Sequence, residues 1–378
     1  MSDNVLSLAA LQAAMTAQAA AARPKISAVD TAGKPLLVEG PDFLDAANPP
    51  QWLVRGVLQR GQVVALTAAT NSGKTAVLLT LIMSVLAGRD FGPFPVLHSG
   101  RVLVLCGEDP DGFRLRMLGT MAHMGVSRAQ LSGRLRVLPQ SIALSEALPQ
   151  IEREAAEWGD IALVIVDTSV SFFSGADENN NVEALAHAKD LRALKALPGA
   201  PTVVAACHPA DKAERASCKP RGGSAFLNEI DANLILWSEG DGVTELHWSV
   251  KKRGPDFDPV WFEFAAQEVE CHGEKSQQVV ARYVDDARAH QRKQQYYHDD
   301  NRLLVAMFDQ PQDSLRMWAR SAGFMCGADQ QTAQISKVQR CLVRLIKNKC
   351  VERGFGVSGY VLTAKGRGCA EAAKHDKG

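Results

Sequence analysis

The stretch VVALTAATNSGKTAVLLTLI, residues 63–82, constrains the fold more than any other part of the chain. A nearly apolar run leads into small polar residues, then Gly73-Lys74-Thr75, then a second apolar run. The first run suits a strand buried on both faces, and the second suits a buried helix. A glycine-lysine-threonine turn between them is the arrangement that converges backbone N–H groups on phosphate oxygens. Gly73 permits close backbone approach, Lys74 serves the β and γ phosphates, and Thr75 offers a hydroxyl to Mg²⁺. The full pattern asks for Gly where this chain has Ala68, at the turn into the loop, where a small Cβ is tolerated. The expected nucleotide-binding set is Ala68, Ala69, Thr70, Asn71, Ser72, Gly73, Lys74 and Thr75, with ATP and Mg²⁺ as cofactors.

Five further strand-like runs follow, at 101–107, 135–139, 162–167, 202–207 and 232–238, with helical patterns between several of them. Strands alternating with helices predict an α/β fold with a mainly parallel sheet covered on both faces. Runs at 243–252 and 260–266 alternate apolar with polar and predict an antiparallel extension of that sheet.

Three strand ends carry chemistry. IALVIVD ends in Asp167, placed to hold Mg²⁺ through water and to serve with Thr75 as the metal site. RVLVLCGEDP ends in Glu108-Asp109; Glu108 is the expected general base for a water aligned on the γ phosphate, and Asp109 is the less favoured base, placed to orient a partner. VVAACHP ends in His208, expected to sense the γ phosphate and report it to the following loop.

Together these residues resemble the RecA-type ATPase core, and in particular the RepA-type hexameric helicase family of plasmids and phages within the RecA/DnaB group. WLVRGVLQRGQVVALTAATNSGKT, GEDPDGFRLRM, VDTSVSFFSGADENNNVEALA and RGGSAFLNEIDANLIL carry the likeness, which covers about residues 50–266. The resemblance implies a homo-oligomeric ring, a hexamer, in which a neighbouring subunit completes the site. Lys251 and Arg253 in SVKKRGPD resemble the cationic pair of DnaB-type helicases, with Arg221 the runner-up. The loop 209–223, with Lys212, Arg215, Lys219 and Arg221, is expected to touch single-stranded DNA, since mobile cations track a phosphate backbone without reading sequence.

Beyond a polar linker at 286–300, residues 301–378 are expected to form a small winged-helix domain. Its third helix and a Gly-rich hairpin would carry duplex DNA contacts or dock a protein. Thirteen Lys and Arg stand there against six Asp and Glu, although the whole chain of 378 residues has a formal net charge of zero. In the third helix an apolar stripe faces the core, and Lys337, Arg340, Arg344 and Lys347 take other faces.

The remaining divisions are a flexible segment at 1–40 and the ATPase domain at 41–285. The eight scattered cysteines include no C-x-x-C pair and imply a reduced, cytoplasmic setting rather than a disulfide framework. No apolar run is long enough to span a membrane, and the N-terminus does not read as a signal peptide. The resemblance, with the strand-end residues that carry it, implies a DNA-stimulated, ring-forming ATPase of helicase type. The alternative is an ATP-gated DNA-binding regulator, or a partition or repair ATPase, that does not unwind DNA. A small-molecule phosphotransferase is disfavoured, because no acceptor-binding domain is evident and the basic C-terminal region would be left without a role.

Overall fold

The computed structural model describes residues 37–210, 213–249, 254–327, 331–355 and 357–375. The chain divides into two units, 1–49 and 50–378. Within the first, one short helix, α1 (Gly40–Asp45), buries no residue.

The second unit is a mixed α/β structure. A small hairpin, β1 (Trp52–Val54) with β2 (Leu58–Gln59), precedes β3 (Val63–Ala68) and α2 (Lys74–Ala87). Next come β4 (Arg101–Cys106), α3 (Pro110–Met124), α4 (Arg128–Leu131), β5 (Leu135–Leu138), α5 (Leu144–Trp158) and β6 (Ile161–Asp167). Then follow α6 (Asn181–Ala193), β7 (Thr202–Cys207), α7 (Gly223–Glu229), β8 (Ala232–Trp237), β9 (Val243–Trp248), β10 (Val260–Cys271) and β11 (Glu274–Val284). The nine-stranded sheet runs β11-β10-β9-β8-β3-β7-β6-β4-β5. From β8 to β5 every pairing is parallel; β9, β10 and β11 extend it antiparallel.

Period-two alternation divides the strands between two cores. Val64, Leu66, Val102 and Val104 pack with α2 on one face. Val63, Ala65, Leu103 and Leu105 pack with α5 and α6 residues on the other. Because both faces are covered, strands β3, β6 and β7 are buried along their whole length, which accounts for their uninterrupted apolar runs.

Strand β11 lies outside the predicted set, and β10 runs five residues beyond its predicted end, to Cys271. The stretch 286–300, expected as a linker with partly helical character, is the first part of one 24-residue helix, α8 (Asp286–Asp309). Asp285 caps it by accepting from Arg288 N at 2.8 Å. Its buried face carries acidic residues, Asp299 and Asp300, among Ala289, Leu303 and Leu304, so the helical period is masked in the sequence.

The C-terminal region adds α9 (Leu315–Ser321), the ladder β12 (Met325–Cys326) with β13 (Thr332–Ala333), and α10 (Ile335–Lys347). The hairpin β14 (Val351–Arg353) with β15 (Tyr360–Leu362) and helix α11 (Ala364–His375) complete it. These elements share their own core around Trp318, Phe324, Val338 and Leu342.

Of the basic side chains of α10, Arg344 departs from expectation. Arg344 is buried, its Nε donating to Asp300 Oδ2 at 3.0 Å and its Nη1 to the Gly240 carbonyl at 3.4 Å, in the turn between β8 and β9. Lys347 pairs with Glu239 of that turn at 3.0 Å, and Lys337 pairs with Asp299 at 2.8 Å. Only Arg340 of the four is exposed without an ion pair among the described residues. No helix among the described residues is long and apolar enough to cross a membrane.

Candidate functional site

The carboxyl ends of parallel strands are where open α/β sheets bind ligands. The ends of β3, β4, β6 and β7 here surround a cleft of about 370 Å³. Ala69, Thr70, Asn71, Gly73, Lys74 and Thr75 line it, together with Glu108, Asp167 and His208. The structure thus brings together in one cleft most of the residues expected for nucleotide and Mg²⁺.

Ala68 is not in the turn. It is the last residue of β3, buried and paired with Leu236, and an extended backbone there has no need of glycine. The left-handed positions fall later, at Asn71 (φ 62°) and Gly73 (φ 85°). Asn tolerates that region, while Gly73 needs it for a second reason as well. A Cβ at Gly73 would fall 1.9 Å from the Phe264 ring of β10. Ser72 does not line the cleft; its hydroxyl donates to the Ala69 carbonyl at 2.6 Å, and its own carbonyl accepts from Thr244 at 3.2 Å. These contacts hold the loop in shape.

Lys74 opens α2 and is buried. Its Nζ donates to the Cys207 carbonyl at 3.1 Å, one hydrogen bond among the described residues for a group with three donors. Burial pulls the ammonium below its ordinary value, while Cys207, Asp167 and Glu108 act in the opposite direction. Thr75 Oγ1 donates to Asp167 Oδ2 at 2.9 Å. Asp167 is 5% exposed, and its Oδ1 is buried with no hydrogen-bond partner. Burial raises its pKa, against the Thr75 hydrogen bond and the Lys74 charge. A buried carboxylate oxygen without a partner, beside a hydroxyl already aimed at the same carboxylate, is a donor set that fits Mg²⁺. Thr75 and Asp167 would hold that ion, and the phosphate tail would supply further oxygens.

Glu108 is exposed at the tip of β4 and faces the cleft, with its side chain uncommitted among the described residues. Its neighbour Asp109 is engaged instead. It caps α3 by accepting from Gly112 N at 2.9 Å, and it pairs with Arg116 at 2.7 Å. Arg116, which also lines the cleft, was not among the sequence-derived site residues. The signal lay in GEDPDGFRLRM: Asp109 and Arg116 stand seven apart, two turns of one helix face.

His208 follows β7 and lines the cleft half-buried. Burial, reinforced by Lys74, lowers its pKa and favours the neutral ring. Its carbonyl accepts from Arg221 N at 2.8 Å, and the Arg221 guanidinium reaches Glu178 at 3.4 Å.

The loop 209–223 is partly tied down. Arg215 Nε donates to Glu245 at 3.1 Å and its Nη2 to the other oxygen of the same buried carboxylate, so this cation is already neutralised. Lys219 is exposed. Lys212, Lys251 and Arg253 lie outside the described residues.

No curated protein matches the chain. A family model described as an AAA domain matches residues 32–214, a span holding the phosphate loop, Glu108, Asp167 and His208. Residues 32–214 are thus similar to an AAA-type ATPase domain, in a mostly parallel sheet whose strand ends gather Lys74, Thr75 and Asp167 around one cleft.

Proposed function

We propose that the protein hydrolyses ATP with Mg²⁺ and uses the cycle to move single-stranded DNA, as a ring-forming helicase of the RepA-like kind. The observation that carries the ATPase part is the unsatisfied Asp167 Oδ1 beside Thr75 and Lys74, at the strand ends of one cleft. Backbone N–H groups of 69–75 and the Lys74 ammonium would bind the phosphates. Mg²⁺, when bound, neutralises phosphate charge. Glu108 would take a proton from the attacking water, since it faces the cleft with a free carboxylate while Asp109 is occupied.

The DNA part draws on the family likeness and on the exposed Lys219 in a loop that directly follows His208. Lys251 and Arg253 are proposed to complete a neighbour's site, with Arg221 the alternative. The order of helix, helix, short ladder, helix and hairpin in 286–375 supports a winged-helix reading. The burial of Arg344 and the Lys347–Glu239 pair favour docking over duplex recognition for its third helix. Phosphate release and strand displacement on forked DNA, each with and without ATP, test the proposal. Release without displacement would leave an ATP-gated DNA-binding regulator.

A further inference from the structure

The segment after His208 is fastened to the same strands that brace the phosphate loop. Residues 213–220 are gripped at three points. Glu245 holds the Arg215 guanidinium. His247 Nε2, two residues along β9 and on the same face, meets the Arg215 carbonyl at 3.3 Å. Asn233 Nδ2 donates to the carbonyl of buried Cys218 at 3.1 Å.

Both anchoring strands also reach the phosphate-loop side. The Asn233 amide oxygen accepts from Thr67 at 2.6 Å, one residue before Ala68, and both side chains are fully buried. On β9, Thr244 faces opposite to Glu245 and donates to the Ser72 carbonyl at 3.2 Å, inside the phosphate loop. A single amide on β8, and two adjacent residues on β9, therefore touch the phosphate-loop side with one group and the 213–220 segment with the next. Buried polar networks of this kind specify one arrangement because every broken link leaves an unpaired group in a low dielectric.

We propose that Asn233 and the Thr244–Glu245 pair are positioning residues that make the arrangement of 213–220 depend on occupancy of the phosphate loop. The route runs through the sheet and does not pass through His208. It rests on the nucleotide-binding reading above. By reciprocity, a polyanion held at 213–220 changes nucleotide affinity by the same factor.

Hydrogen exchange on the full chain tests this, with and without a saturating non-hydrolysable ATP analogue and Mg²⁺. In the parent protein the analogue should slow exchange at 69–75, and at 213–220 by about fivefold or more. In Thr244→Val the slowing at 69–75 should persist, while that at 213–220 falls below about twofold. Thr244→Ser, which keeps the hydroxyl, should restore it. Should Thr244→Val fail to fold, Glu245→Gln, which keeps the side-chain shape, carries the same comparison. Equal slowing at 213–220 in parent and variants overturns the proposal. So does an unchanged 213–220 in a parent protein whose 69–75 amides are protected. No slowing at 69–75 in the parent would instead remove the nucleotide reading, and the coupling with it.

Discussion

Two regions of this molecule bury a basic side chain beside a carboxylate, and they use it in opposite ways. In the cleft, Lys74 is buried with one carbonyl partner, and Asp167 keeps an oxygen with none. In the third helix of the C-terminal region, Arg344 is equally buried, but Asp300 and the Gly240 carbonyl take up its donors. The sequence surplus of basic residues pointed to the second region as a polyanion site, yet three of the four basic residues of its third helix are held in ion pairs within the chain. What marks a ligand site is a buried polar group left unfinished, since such a group is costly until something completes it. A charge count does not distinguish the two cases.

The widest split between the regions should appear in activity. Glu108→Gln is expected to slow turnover by about 10²- to 10⁴-fold with nucleotide binding retained. Asp109→Asn should cost less, because its role is to cap α3 and hold Arg116. Single-turnover phosphate release distinguishes them, and the reverse ranking would assign the base to Asp109. Lys74→Ala should lose about 10²- to 10³-fold in turnover while leaving ligand-free stability nearly unchanged or raised, because it removes a poorly compensated buried charge.

The next effect inverts that pattern. Arg344→Ala should cost about 3–5 kcal/mol of stability, since it strands the Asp300 carboxylate against burial that already raises its pKa. Urea melts of the two variants side by side check the contrast. If Lys74→Ala is the more destabilised of the two, the cleft charges are structural and the comparison fails.

How much of this was legible beforehand depended on what each residue faced. Strands β3, β6 and β7 were plain because both their faces meet apolar partners. Glu108, Asp167 and His208 were legible as polar residues that end such runs. Strand β11 was not, because EKSQQVVARYV is largely exposed and packs closely at few positions, among them Val280 and Ala281. Helix α8 was hidden for a related reason: Asp299 and Asp300 sit on its inner face, and their partners, Lys337 and Arg344, are remote in sequence. The Phe264 contact on Gly73 brings together residues nearly two hundred apart, and no local pattern announces it.

A third, smaller effect concerns a buried neutral base behind the cleft. His187 is 3% exposed between Phe173 and Phe226, with its Nε2 2.8 Å from Ser169 Oγ. Burial lowers its pKa from 6.5 to about 4. The unfolded chain therefore binds the proton first as pH falls. The contribution is fully present above about pH 6.5 and is lost as pH drops toward 4. Between pH 7 and 5 the loss is about 2 kcal/mol. His187→Gln should flatten the stability profile over that interval, and an unchanged profile would mean that other groups set it.

The smallest effect probes whether the third helix has any cation left for DNA. Lys347 and Glu239 are both about half exposed, so their pair is worth about 0.2–1 kcal/mol and should weaken with salt. Lys347→Ala should therefore barely change stability. It should also barely change duplex affinity, because the ammonium is turned toward the β8–β9 turn. Arg340, exposed and without an ion pair among the described residues, is the residue on this helix free to meet a phosphate. Arg340→Ala should lower the salt slope of any duplex binding by about one, uniformly across sequences. If Lys347→Ala lowers the slope as much as Arg340→Ala does, the Glu239 pair opens when DNA arrives. The third helix would then be a reserve of charge, and the contrast with the cleft would be one of timing. If neither variant moves the slope, the helix is a docking element, and its basic residues serve to hold the C-terminal region against the ATPase sheet.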